Sequence, residues 1–77
     1  MPLAADQAGQ LQGLGANIRR ERVRRGLTQA QLAEAADLAL RNIQRIEAGE
    51  INILVTTLVR IQAALGCPWE ALLGKSR

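Results

Sequence analysis

The stretch from Gly26 to Gly49, GLTQAQLAEAADLALRNIQRIEAG, constrains this chain most. It fits two short helices and one tight turn. Gly26 ends whatever helix precedes it, since glycine enters the left-handed region without a Cβ penalty. Thr28 then opens a helix. Gln31, three residues on, completes a Thr-x-x-Gln capping box, in which two orphan backbone N–H groups are satisfied reciprocally. Leu32, Ala35 and Ala36 give this helix a thin inner face of small residues, so another helix can approach it closely. Asp37-Leu38 makes the turn. A further helix runs from about Ala39 to Ala48, and Gly49 stops it.

The flanking segments read as support. Leu14 and Ile18 are four apart and share a face of a first helix, over about Leu14 to Arg25. After a short loop from Glu50 to Ile53, a fourth helix covers about Leu54 to Leu65. Leu58, Ile61 and Leu65 lie on one side of it, with Val55 and Val59 beside them, and Gly66 ends it. Pro68 suits the first turn of a last helix, Pro68 to Leu73, where a missing backbone donor costs nothing. Residues 1–12 are Ala/Gln/Gly-rich and unpatterned, and are expected to form a flexible arm. Residues 13–77 are expected to form one compact, all-α, five-helix domain.

Composition narrows the chemistry. The chain has 77 residues and is 48% hydrophobic, enough for one small core but not for two domains. The apolar residues are chiefly Leu, Ile, Ala and Val, with one Trp and no Phe or Tyr, which suits short helices better than a sheet. Histidine is absent and there is one cysteine. Structural zinc, an internal disulfide and His-based acid–base chemistry are therefore not expected. Neither paired carboxylates nor a glycine-rich phosphate loop points to an enzyme, and no cofactor, metal or small-molecule ligand is implied. No apolar run reaches the roughly 18 residues that span a membrane. The N-terminus lacks the basic start and apolar core of a signal peptide, so a cytoplasmic location is the default. The net charge of +3 permits a polyanionic partner without requiring one.

The third helix carries the functional signal. On a helical wheel, Ala39, Ile43 and Ile46 fall within about 60° and should face the core. Arg41, Gln44, Arg45 and Ala48 fill an arc of roughly 100° on the far side. Asn42 lies at one boundary of that arc, and Leu40 and Glu47 at the other. The outer face thus has no acidic side chain. Arg41 and Arg45, four apart, repel each other unless an anion sits between them. Arginine pairs bidentately with guanine and glutamine with adenine, so the face is suited to base edges in a DNA major groove.

With these residues on the page, the chain resembles the helix-turn-helix repressors of the phage lambda repressor and Cro type, the Xre family. The resemblance runs from about Leu14 to Leu73 without a gap. It rests on Leu14, Ile18, Arg22, Gly26-Leu27-Thr28-Gln29, Leu32-Ala33, Ile43, Arg45-Ile46-Glu47-Ala48-Gly49, Thr57-Leu58 and Ala64-Leu65-Gly66. The loop with Asn52-Ile53 looks like that of the subset that includes controller proteins of restriction–modification systems.

The resemblance implies roles. Gln29 would bond a phosphate and brace the recognition helix. Arg41 and Arg45 would meet base edges or nearby phosphates. Ala39 and Leu40 would form the leading edge and, being apolar, could contact only thymine methyls. Asn42 and Gln44 would lie at the margins, toward the backbone. Arg22 and Glu47 would form an inward, structural salt bridge. The chain departs from the family where Ala39 and Leu54 replace the usual Ser or Thr caps, a loss of about 1 kcal/mol each. Asp37 is a candidate substitute cap for the third helix. Glu50 and Ile51 stand where the family often has a cation facing phosphate.

Some features keep two readings. The five arginines between residues 19 and 25 spread around almost the whole first helix. They fit a solvated face plus the Arg22 bridge, or one or two phosphate contacts, with Arg19 and Arg25 the best candidates. Trp69 fits core or dimer packing better than base stacking, and Cys67 fits a small buried hydrophobe. The function expected is that of a sequence-specific regulator that binds double-stranded DNA as a homodimer. Its interface would be the surface of Trp69, Leu72 and Leu73. The alternative is an antitoxin-like or other protein-interaction module on the same fold.

Overall fold

A computed structural model describes residues 5–74. Five helices follow one another: α1 (Ala5–Arg24), α2 (Gln29–Ala36), α3 (Leu40–Glu47), α4 (Val55–Leu65) and α5 (Trp69–Leu73). No described helix is long and apolar enough to cross a membrane.

The local signals act as their chemistry predicts. Thr28 caps α2: its Oγ1 accepts from the Gln31 N–H at 3.0 Å, and its own N–H donates to Gln31 Oε1 at 2.8 Å. Asp37 then takes a left-handed conformation (φ 56°, ψ 49°), and its N–H returns to the carbonyls of α2. This closes the turn within a few residues. Asp37 is thus the C-cap of α2 and not a cap for α3. The exposed carboxylate instead lies 3.4 Å from Arg60 of α4, whose guanidinium also donates to the Ala36 and Asp37 carbonyls. Arg60 thereby satisfies the end of α2 in place of water. Neither Ala39 nor Leu54 supplies a side-chain cap to the helix it precedes.

The core is built from all five helices and gathers Ile18, Leu32, Ala33, Ala36, Ile43, Ile46, Ile61, Leu65, Cys67 and Leu72. Three expectations change here. Ala33, not Ala35, joins Leu32 and Ala36 on the buried side of α2, while Ala35 is exposed. Ala39 is exposed too, because it precedes the first turn of α3 and projects ahead of the core. Val55 and Val59 lie outside the core at 76% and 46% exposure, with Leu54 at 70%.

The first helix begins earlier than its apolar spacing indicates. Residues 5–12, assigned to an arm, are its opening turns, and only residues 1–4 of that stretch lie outside the described residues. Alanine and glutamine are good helix formers, so the helix extends here without an apolar stripe. The extension also has something to rest on. Leu11 is half-buried, and the Gln12 backbone lies against Gly49, so closely that a Cβ on Gly49 would stand 2.8 Å from the Gln12 Cα. Gly49 also has φ +71°, so both its space and its conformation call for glycine.

Candidate nucleic-acid interface

The outer face of α3 is made by what holds the helix from beneath. Ile43 and Ile46 are buried at 0% and 4% exposure. Burial of such side chains contributes roughly 1.5–3 kcal/mol each. Gly15 of α1 passes directly under the end of α3. A Cβ there would lie 2.7 Å from the Glu47 carbonyl oxygen and would also strike that of Ile46.

A polar clasp adds orientation to this packing. Arg22 donates from Nε to Glu47 Oε2 at 2.7 Å and from Nη2 to Oε1 at 2.9 Å, a two-bond fork on one carboxylate. Its Nη1 donates to the Leu27 carbonyl at 2.8 Å. Gln29 then donates from Nε2 to Glu47 Oε1 at 3.2 Å. One carboxylate on α3 therefore receives α1 and the start of α2 together. The inward bridge between Arg22 and Glu47 is present, with side chains 11% and 3% exposed. The Glu47 hydrogen bonds also push the Arg22 guanidinium above its ordinary value, against the opposing effect of burial.

Above this support, Arg41, Asn42, Gln44 and Arg45 are all exposed, as are Ala39 and Leu40. The side chains of Arg41, Asn42, Gln44 and Arg45 have no ion pair or hydrogen bond among the described residues. Gln29 stands apart from this set. It is half-buried, and one of its two amide hydrogens is engaged by Glu47, leaving the other free.

The arginines of α1 form a second, unexpected constellation. Glu21 is buried and receives Arg25 at 2.8 Å, Arg20 at 3.2 Å and Arg24 at 3.4 Å. Beside it, buried Asn17 donates to the Leu72 and Gly74 carbonyls, and Arg20 donates to Asn17 Oδ1 and the Ala71 carbonyl. This network fastens α5 to α1. Sequence reasoning missed it because a glutamate flanked by arginines looks solvated when its helix neighbour across the fold is unknown. Glu21 follows Ile18 by three residues and so shares its inward side of α1. Arg25 is thus engaged, whereas Arg19 has no polar partner among the described residues.

Cys67 is buried, and burial pushes its thiol above the ordinary range, which fits a packing role. Leu72 is fully buried, so it belongs to the core and not to the surface it was assigned with Trp69 and Leu73.

A turn between two short helices, with the second braced by the first and by α1, is the architecture of a DNA-binding helix-turn-helix domain. A model of the helix-turn-helix family matches residues 18–72, and the chain belongs to that family, whose members include transcription regulators of the lambda repressor type. Among solved structures, the chain is similar to the restriction–modification controller protein C.AhdI from Aeromonas hydrophila. That likeness has a TM-score of 0.80 and 25% identity, over 83% of this chain and 97% of that one. Among curated proteins, none matches the sequence significantly.

Proposed function

We propose that this protein regulates transcription by placing α3 in the major groove of double-stranded DNA, with α2 lying across the backbone. The observation that carries the reading is the contrast within α3. Ile43, Ile46 and Glu47 are held inward, while Arg41, Gln44 and Arg45 are exposed and unpartnered among the described residues. Arg41 and Arg45 read guanine or meet adjacent phosphates, Gln44 and Asn42 work at the margins, and Ala39 and Leu40 lead the helix into the groove. Gln29 uses its remaining N–H toward a phosphate while its other N–H braces Glu47. The controller-protein likeness supports regulation as the purpose of binding.

One α3 offers few base contacts, so the protein acts as a homodimer on half-sites about 34 Å apart. The exposed apolar side chains Trp69 and Leu73 of α5, Val55 and Val59 of α4 and Leu54 just before it are the surface for the second copy.

The test is selection of bound duplexes from random DNA, followed by binding over a range of salt. The expected results are an enriched, guanine-containing site and an affinity that falls steeply with salt. Arg41→Ala combined with Arg45→Ala should relax the sequence preference. If the double variant selects the same sites as the wild type, the assignment of α3 is wrong. If nothing binds even at low salt, a protein-interaction role replaces DNA binding.

A further inference from the structure

α5 has five residues, and so short a helix has no stability of its own. Its place is imposed from outside. Leu72, fully buried, anchors it in the core. Apolar burial is non-directional, so it fixes where α5 lies but not how the helix is turned. Hydrogen bonds are directional, and the end of α5 receives them from α1. Asn17, itself 2% exposed, donates from Nδ2 to the Leu72 carbonyl at 2.8 Å and to the Gly74 carbonyl at 2.9 Å. Arg20 donates from Nη2 to the Ala71 carbonyl at 2.7 Å, and its Nη1 holds Asn17 Oδ1 at 3.1 Å. Two side chains three apart on α1 thus grip the last turn of α5. Trp69 and Leu73, four apart and exposed, turn with it.

Arg22, two residues beyond Arg20, holds Glu47 of α3. One stretch of α1 therefore sets both the reading face and the part of the second-copy surface that α5 carries. Resting on the twofold dimer proposed above, we infer that Asn17 and Arg20 are positioning residues that set which spacing of half-sites the dimer accepts. By fixing how α5 is turned on α1, they fix the distance and angle between the two copies of α3. A dimer on a misspaced site must turn α5 against its own domain, and the strain falls on the bonds from Asn17 and Arg20. Without those bonds α5 yields, and other spacings are accepted.

The experiment uses the duplex selected from random DNA, together with versions that have one base pair added or removed between the half-sites. Each change shifts one half-site by about 3.4 Å and turns it by about 35°. The quantity read is the affinity for the selected spacing divided by that for an altered one. Arg20→Ala should shrink this ratio about fivefold, the net worth of its one hydrogen bond to α5. Asn17→Ala, which removes two, should shrink it further. Both variants should stay dimeric by sedimentation and bind one isolated half-site as the wild type does. If Asn17→Ala does not fold, Arg20→Ala decides the matter alone, since its side chain is 42% exposed. An unchanged ratio in Arg20→Ala overturns the inference. So does a monomeric Arg20→Ala, because the residue would then hold the copies together and not set their angle. The wild type separates the two claims. If it prefers one spacing and the variants prefer it equally, only the positioning role fails. If it binds all spacings alike, or one half-site as tightly as two, the dimer reading fails and takes the positioning role with it.

Discussion

Arg20, Arg22 and Arg24 on α1 and Arg25 just past its end each touch a carboxylate, Glu21 or Glu47, whereas Arg41 and Arg45 on α3 touch none among the described residues. By count, α1 is the more basic helix and the more obvious place for a polyanion. By partnering, it is the reverse. Two buried carboxylates hold these four guanidiniums as internal fasteners, one set between α1 and α3 and the other beside α5. The α3 guanidiniums retain their full hydrogen-bonding capacity. Density of charge along a sequence therefore locates an interface less well than the absence of an internal counter-charge.

The comparison breaks most visibly at Glu47. Replacing it with alanine leaves the nearly buried Arg22 fork and the Gln29 amide without their acceptor. Stranding one partner of a buried pair costs about 3–5 kcal/mol. A domain of this size has a total stability of roughly 4–12 kcal/mol, so Glu47→Ala should lose a large share of it. Denaturant unfolding followed by helical circular dichroism measures this. A loss under about 1 kcal/mol, as is usual for an exposed ion pair, would place the Arg22 contact in the same class as a surface bridge and erase the distinction.

Next in size is Gly15→Ala. Alanine in a helix is better than glycine by about 1 kcal/mol on propensity alone. The Cβ would, however, meet two backbone carbonyls of α3, and overpacking costs about 1–3 kcal/mol. The collision should win, giving a net loss. Gly9→Ala is the control, since nothing lies within 4 Å of the added carbon, and it should be neutral or slightly stabilising. If Gly15→Ala is stabilised as well, α1 does not press against α3 and the rigid support for the reading face is absent.

The Glu21 cluster gives a smaller, pH-dependent effect. Burial alone would raise its carboxyl, but hydrogen bonds from Arg25 and Arg20, with the charges of Arg24 and Arg25, outweigh it and hold the group below its ordinary value of 4.5. A carboxyl depressed in the folded state stabilises above the unfolded value, and that contribution disappears as pH falls through the folded one. The wild type should therefore lose stability below about pH 4.5 more steeply than Glu21→Gln, which has no proton to take up there. Equal acid limbs in the two denaturation series would mean that the three arginines are solvated neighbours and not a clasp.

What the sequence makes legible follows from how local each cause is. The capping box at Thr28 and Gln31, the Asp37-Leu38 turn and the stops at Gly26, Gly49 and Gly66 depend on residues within a turn of one another, and α2 to α5 are found near their expected bounds, whereas α1 starts nine residues before the expected Leu14. The Arg22–Glu47 bridge spans 25 positions and was accessible only through family resemblance. The Asn17–Glu21 network, which reaches across 55 residues to Leu72, was not accessible at all. Period alone could not separate a polar group turned inward against α5 from one turned to water. The same limit explains Leu72, whose periodicity allowed either a core or an interface. For α3 the wheel separates buried Ile43 and Ile46 from exposed Arg41, Gln44 and Arg45, but it turns Ala39 inward, where the structure exposes it, and leaves Glu47 at the outer margin, where the structure buries its carboxylate.

The smallest expected effect bears hardest on the comparison. Arg41 and Arg45 are exposed and lack internal partners, so Arg41→Ala with Arg45→Ala should change stability by no more than about 0.5 kcal/mol. The sign could even be favourable. Two like charges four apart on a short helix repel by about 0.2–0.5 kcal/mol, and alanine is the better helix former. Arg22→Ala, by contrast, strands the Glu47 carboxylate and should destabilise on the scale of Glu47→Ala. Urea titrations of the two variants side by side decide the matter. If the α3 pair destabilises as Arg22→Ala does, those arginines are structural, and the face now assigned to DNA is another part of the scaffold.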